Sequence, residues 1–148
     1  MAVHSPVKKF MIGKCFVDTN ILFYAHDRSS GLRHERAKEV IAELWRSRRG
    51  VLSTQVLQEY CVNVRRKTQV SAENMRVILR DFLKWTVVVN TGESVLGALE
   101  LEAKHQISFW DSLIIYAAQV GGAQVLYSED FNDGQIFGSV QVVNPLKP

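Results

Sequence analysis

Cysteine is scarce in this chain, and the little there is makes no pattern. Cys15 and Cys61 are the only two in 148 residues. They form no CxxC pair and no zinc-like grouping with His4, His26, His34 or His105, which excludes a disulfide framework and a structural zinc site. Both read as reduced core residues of a cytoplasmic protein. Proline is equally sparse: Pro6, Pro145 and Pro148 all lie near the termini. No Pro/Gly linker, repeat or low-complexity tract divides the chain, so a single domain over 1-148 is expected, large enough to bury a core without covalent staples. Long apolar runs are missing too. The stretch Phe10 to Ala25 is broken by Lys14 and Asp18, which makes it too polar for a membrane span or a secretory signal.

Charge of one sign is also modest, with a net of +3. The positive residues nevertheless fall into two clusters. Arg46, Arg48 and Arg49 end one predicted helix, and Arg65, Arg66 and Lys67 end another. Cations there complement the helix macrodipole, and the same placement suits contact with a phosphate backbone.

What the chain does have is alternation. Lys14 to Asp18 reads as a strand, with Asp18-Thr19-Asn20 offering caps before a short helical turn over Ile21 to Ala25. From Leu32, the residues Ala37, Val40, Ile41, Leu44 and Trp45 recur at helical spacing up to about Gly50. Val51 to Ser53 is a short strand, and Leu57, Tyr60, Cys61 and Val64 mark the buried stripe of the next helix. Ser71 caps a helix with Met75, Ile78, Leu79, Phe82 and Leu83 on one face, and the β-branched run Thr86 to Val89 is a strand. Helices follow over Glu93 to Lys104 and Phe109 to Val120. The second is apolar nearly all round and so should be buried, and Gly121-Gly122 ends it. Val125 to Tyr127 and Val140 to Val143 supply the last strands. Such alternation predicts an α/β fold around a mainly parallel sheet, whose ligands bind beyond the carboxyl ends of the strands.

Four acids occupy telling positions in that scheme. Asp18 follows one apolar strand and Asp130 another, while Glu59 and Asp111 lie in helices. Each also has an ordinary explanation. Asp18 suits a helix N-cap; Ser108 to Asp111 has the form of a capping box; Glu59 lies off its apolar stripe, on a polar strip with Asn63 and Arg66; Asp130 sits in a turn-like cluster where Glu129 and Asp133 compete for its role. Trp110, Leu113, Ile114, Ile115 and Ala118 surround Asp111 with apolar side chains. That setting predicts a buried carboxylate in need of a cation. Taken singly the acids are explained, but their convergence on one sheet edge is not. Carboxylate oxygens without His or Cys favour Mg²⁺ or Mn²⁺, and such a site activates water against a phosphodiester. A phosphoacceptor receiver domain would need an acid after the central strand, where this chain has Asn90-Thr91-Gly92.

These runs resemble the PIN domain family, and within it the VapC-type ribonuclease toxins of toxin–antitoxin systems. The likeness extends from about Lys14 to Pro145, through FVDTNILFYA, STQVLQEY, SFWDSLII and LYSEDFNDG. It implies a three-layer α/β/α sandwich and a Mg²⁺- or Mn²⁺-dependent endoribonuclease, usually dimeric. An antitoxin whose C-terminal segment enters the active-site groove would hold it inactive. Asp18, Asp111 and Asp130 would hold metal, Glu59 would help to position ion and water, and Thr19, Asn20 and Ser128 would support them. The two basic clusters would hold RNA. The first ten residues depart from the family pattern, in which the chain begins almost at the first strand, so 1-10 reads as an extension and Met11 as a candidate start. A PIN-like module that binds RNA or protein without catalysis is the competing reading, and all four acid positions being filled argues against it. Trp45 and Leu32 are apolar residues suited to a dimer face or to the antitoxin.

Overall fold

The computed structural model describes residues 13–148, so the extension over 1-10 and the start at Met11 lie outside the described residues. Six strands form one sheet in the order β3-β2-β1-β4-β6-β5. They are β1 (Lys14–Val17), β2 (Gly50–Ser53), β3 (Thr86–Val88), β4 (Ala123–Tyr127), β5 (Ile136–Phe137) and β6 (Val140–Val143). All neighbours pair in parallel except β5 with β6. The expected parallel sheet is therefore present, with one addition: the two-residue β5 forms a hairpin with β6, and it is too short to carry a periodic signal.

Helices flank this sheet. They are α1 (Thr19–His26), α2 (Leu32–Ser47), α3 (Thr54–Thr68), α4 (Ala72–Phe82), α5 (Gly92–His105) and α6 (Phe109–Val120), with a 3₁₀ turn over Arg28–Ser30. α6 lies on β2, β4 and β6 and pairs with α5; α1 packs between α2 and α3, which both touch β2. Side-chain hydroxyls start the helices as the sequence suggests: Ser53, Ser71 and Ser108 accept from the backbone N–H groups of Val56, Asn74 and Asp111. Three helices end on non-glycine residues in the left-handed region, Arg48, Gln69 and Gln106.

The central strands explain the burial. Cys15, Phe16 and Val17 of β1 and Val125 and Leu126 of β4 are fully buried, as covering both faces of a parallel sheet requires. Each large apolar side chain buried there contributes about 1.5–3 kcal/mol. Gly50 opens β2 against the ring of Trp85, which occupies the place a Cβ would take. Trp45 packs against Phe82 and Trp85 in an aromatic cluster and is 38% exposed, whereas Leu32 stands out to solvent.

The strand order has one consequence for function. From β1 the chain builds outward through β2 to β3, then returns to place β4 on the other side of β1. The two directions part between β1 and β4, the switch point at which open α/β sheets bind ligands.

Candidate active site

Asp18 sits at that switch point. The strand ends at Val17, opposite Tyr127 of β4, and the Asp18 N–H donates to the Tyr127 carbonyl at 3.0 Å. Its backbone is extended, and its side chain turns back to cap α1, with Oδ1 accepting from Thr19 N at 2.8 Å. Oδ2 accepts from Ser128 Oγ at 2.7 Å, across a separation of 110 residues. Ser128 is fully buried, and its Oγ also accepts from the Asp130 N–H at 3.0 Å. One hydroxyl thus fixes both strand-end acids.

Burial dominates the electrostatics of Asp18. The residue is 6% exposed, and loss of solvent pushes its carboxyl up to about 7. The bonds from Ser128 and Thr19 pull it down, and the charges of Asp130 and Glu59 raise it further. Asp130 is also raised, first by desolvation and then by Glu129 and Asp111 beside it. Several acids therefore share one small volume, and among the described residues no Lys or Arg lines it.

Glu59 comes from the second turn of α3. It faces outward as its place off the apolar stripe predicts, yet its Oε1 accepts from Thr19 Oγ1 at 2.6 Å. Asp111 comes from the first turn of α6, where its N–H is capped by Ser108 Oγ. All four acids line a groove of about 470 Å³ together with Thr19, Asn20, Gln55, Gln58, Asn63 and Trp110. Among the described residues, no three His, Cys, Asp or Glu side chains stand close enough to form a ready-made metal cage. The donor chemistry nevertheless fits a hard divalent ion: carboxylate oxygens only, one of them on a buried strand end, with like charges facing one another.

The structure overturns one expectation and refines two others. Asp111 is half-buried, because it opens into the groove beside Trp110, which is 63% exposed. The buried acid is Asp18. Second, the rivals of Asp130 are occupied elsewhere. Glu129 accepts from Tyr24 OH at 2.7 Å and Asn20 Nδ2 at 3.2 Å, and Asp133 accepts from Asn144 N at 2.8 Å. Asn20 therefore acts by holding Glu129. Third, the basic clusters divide. Arg66 reaches Asn63, a groove residue, so Arg65, Arg66 and Lys67 continue from the acids along α3. Arg46, Arg48 and Arg49 precede β2, which puts them at the amino edge of the sheet, opposite the groove. Arg46 and Arg49 both pair with Glu43 there.

Gln55 and Gln58 are groove residues that the sequence pattern alone did not bring out. Gln55 is buried, and its Nε2 donates weakly to Glu59 Oε2 and to the Trp110 carbonyl, each at 3.5 Å. Its position four residues before Glu59 was the available signal, since such pairs share a helix face.

The family model of the PIN domain matches residues 15–133. The chain belongs to the PIN domain family. Solved structures agree on the fold. Mycobacterium tuberculosis VapC20, a sarcin-ricin loop cleaving toxin, superposes with a TM-score of 0.64 at 24% identity, over 80% of this chain and 92% of that one. A toxin–antitoxin complex from Klebsiella pneumoniae gives 0.66 at 21% identity, over 89% and 98%. Among curated proteins, none matches the sequence. In this PIN domain the matched span contains all four acids and Ser128.

Proposed function

We infer that this PIN domain is a metal-dependent endoribonuclease, the toxin of a toxin–antitoxin pair. The observation that carries this reading is Asp18: a buried carboxylate at the switch point, faced by Asp130 and Glu59 in a groove that no Lys or Arg lines among the described residues. Asp18, Asp111 and Asp130 would hold Mg²⁺ or Mn²⁺, with Glu59 beside them. When bound, such an ion activates water for attack on a phosphodiester and neutralises the charge that develops on the phosphoryl oxygens.

The chain's own residues do the positioning. Ser128 and the Thr19 N–H hold the two oxygens of Asp18 in place, and Ser128 sets the backbone of Asp130 through the same oxygen. Thr19 Oγ1 ties Glu59 to the start of α1. Asn20 and Tyr24 hold Glu129 aside, so the groove keeps four acids rather than five. Arg65, Arg66 and Lys67 lie where an RNA backbone leaving the groove along α3 would pass.

The structural likeness to a toxin and to a toxin–antitoxin complex supports an antitoxin protein as partner; a homodimer acting in the cytoplasm completes the reading as our own proposal. The experiment is direct. Purified protein should cleave RNA with Mn²⁺ or Mg²⁺ and not with EDTA, and Asp111→Asn should abolish cleavage while preserving the fold by circular dichroism. Full activity in that variant, or none in the wild type freed of partner, overturns the assignment. Inhibition by the product of the adjacent upstream reading frame tests the antitoxin.

A further inference from the structure

Trp110 stands at the groove with most of its indole in solvent, 63% exposed, immediately before Asp111. Tryptophan is usually well buried, and among the described residues this one makes a ring contact only with Phe109, edge-on at 5.3 Å between centroids. Its backbone is not loose. Ser108 caps the turn that carries it, and the buried Gln55 donates to its carbonyl. A rigid, solvated aromatic surface is thus held at the edge of the acid cluster.

Nine of the twelve residues lining the groove are polar. Gln58 and Asn63 supply amides, Val62 is the other exposed apolar side chain, and the buried Gln55 Oε1 has no hydrogen-bond partner among the described residues. Two apolar side chains are too few for the core of a protein interface, which needs a contiguous desolvated patch. One flat aromatic ring flanked by amides matches an unpaired nucleobase, which offers a π-face to stack and polar edges to bond.

We propose that Trp110 is a stacking platform for one unpaired nucleobase next to the scissile phosphate, so that the substrate is cut where its bases are not paired. The inference rests on the ribonuclease reading and specifies what that site takes. Stacking at this position sets the register of the backbone over the four acids. Trp110 would then determine where the strand is cut as well as how tightly it is held.

The test uses Asp18→Asn as the background for binding, so that RNA survives the measurement, and active protein for cleavage. In that background, Trp110→Ala and Trp110→Leu should weaken single-stranded RNA binding by about 5- to 150-fold, the fold-change of about 1–3 kcal/mol of base stacking. Trp110→Phe should keep most of the affinity. An abasic nucleotide scanned through the oligonucleotide should cost wild-type Trp110 affinity at one position and cost Trp110→Ala nothing more there. Exposure of the side chain means that all three variants should melt close to the parent. Equal affinity in Trp110→Ala, with cleavage of paired and unpaired RNA alike, overturns the proposal. So does loss of self-association by sedimentation with RNA affinity unchanged, which would make Trp110 a protein-binding residue. If wild-type protein shows no Mn²⁺-dependent cleavage, the ribonuclease reading itself has failed. If it cleaves and Trp110 proves neutral, only the stacking platform has.

Discussion

Replacing Asp18 by Asn should make the metal-free protein more stable at pH 8 and not at pH 4. Burial raises the carboxyl from its ordinary 3.8 to about 7 in the folded state. Because the folded pKa is raised, the native state binds the proton more tightly than the unfolded one. The stability contributed by this protonation is therefore fully present below about pH 4, falls as pH rises through the window between the two values, and is lost above about 7. A rise of that size corresponds to roughly 4 kcal/mol. Asparagine removes the charge but alters the bond from Ser128, an offset of about 1 kcal/mol. A net gain of roughly 2–3 kcal/mol at pH 8 is expected. Urea denaturation of both proteins at pH 4 and pH 8 in EDTA measures it, and the comparison cancels the titrating groups that do not act on Asp18. Mn²⁺ should then stabilise wild type at pH 8 and leave Asp18→Asn little changed. A variant equally stable to wild type at both pH values, or weakened equally at both, would refute the claim that Asp18 is buried with uncompensated charge.

Arg65→Ala with Arg66→Ala should flatten the salt dependence of RNA binding, by roughly 0.7 in log–log slope for each phosphate no longer neutralised. Arg46→Ala with Arg48→Ala should leave that slope unchanged, because these residues lie at the opposite sheet edge; filter binding between low and moderate salt separates the two. Gly50→Ala should destabilise by about 1–3 kcal/mol in thermal or urea unfolding, since its Cβ would meet the Trp85 ring.

The alternation of strands and helices was legible because burial on both faces of a parallel sheet writes short β-branched runs between amphipathic helices. The order of those strands was not, since pairing between β1 and β4 joins residues more than a hundred apart and leaves no local trace. Asp111 was misjudged for a related reason: counting apolar neighbours along a helix does not say which of its positions open into the groove. Asp18, which the sequence explains well enough as a helix N-cap, is the acid that the tertiary structure buries. Choosing Asp130 over Glu129 and Asp133 required side-chain partners such as Tyr24 and Asn144. The placement of Arg46, Arg48 and Arg49 could have been read in advance, because a helix that ends just before a parallel strand ends at that strand's amino edge.

The bond between Ser128 and Asp18 also bears on synthesis. Residue 18 leaves the ribosome long before residue 128, and until β4 pairs with β1 neither the Ser128 hydroxyl nor the Asp130 carboxylate stands beside it. Pairings of such separation form late in folding. A chain interrupted before β4 lacks Asp130 and the Ser128 hydroxyl that fixes Asp18, so on the ribonuclease reading proposed above the site would be completed only near the end of translation.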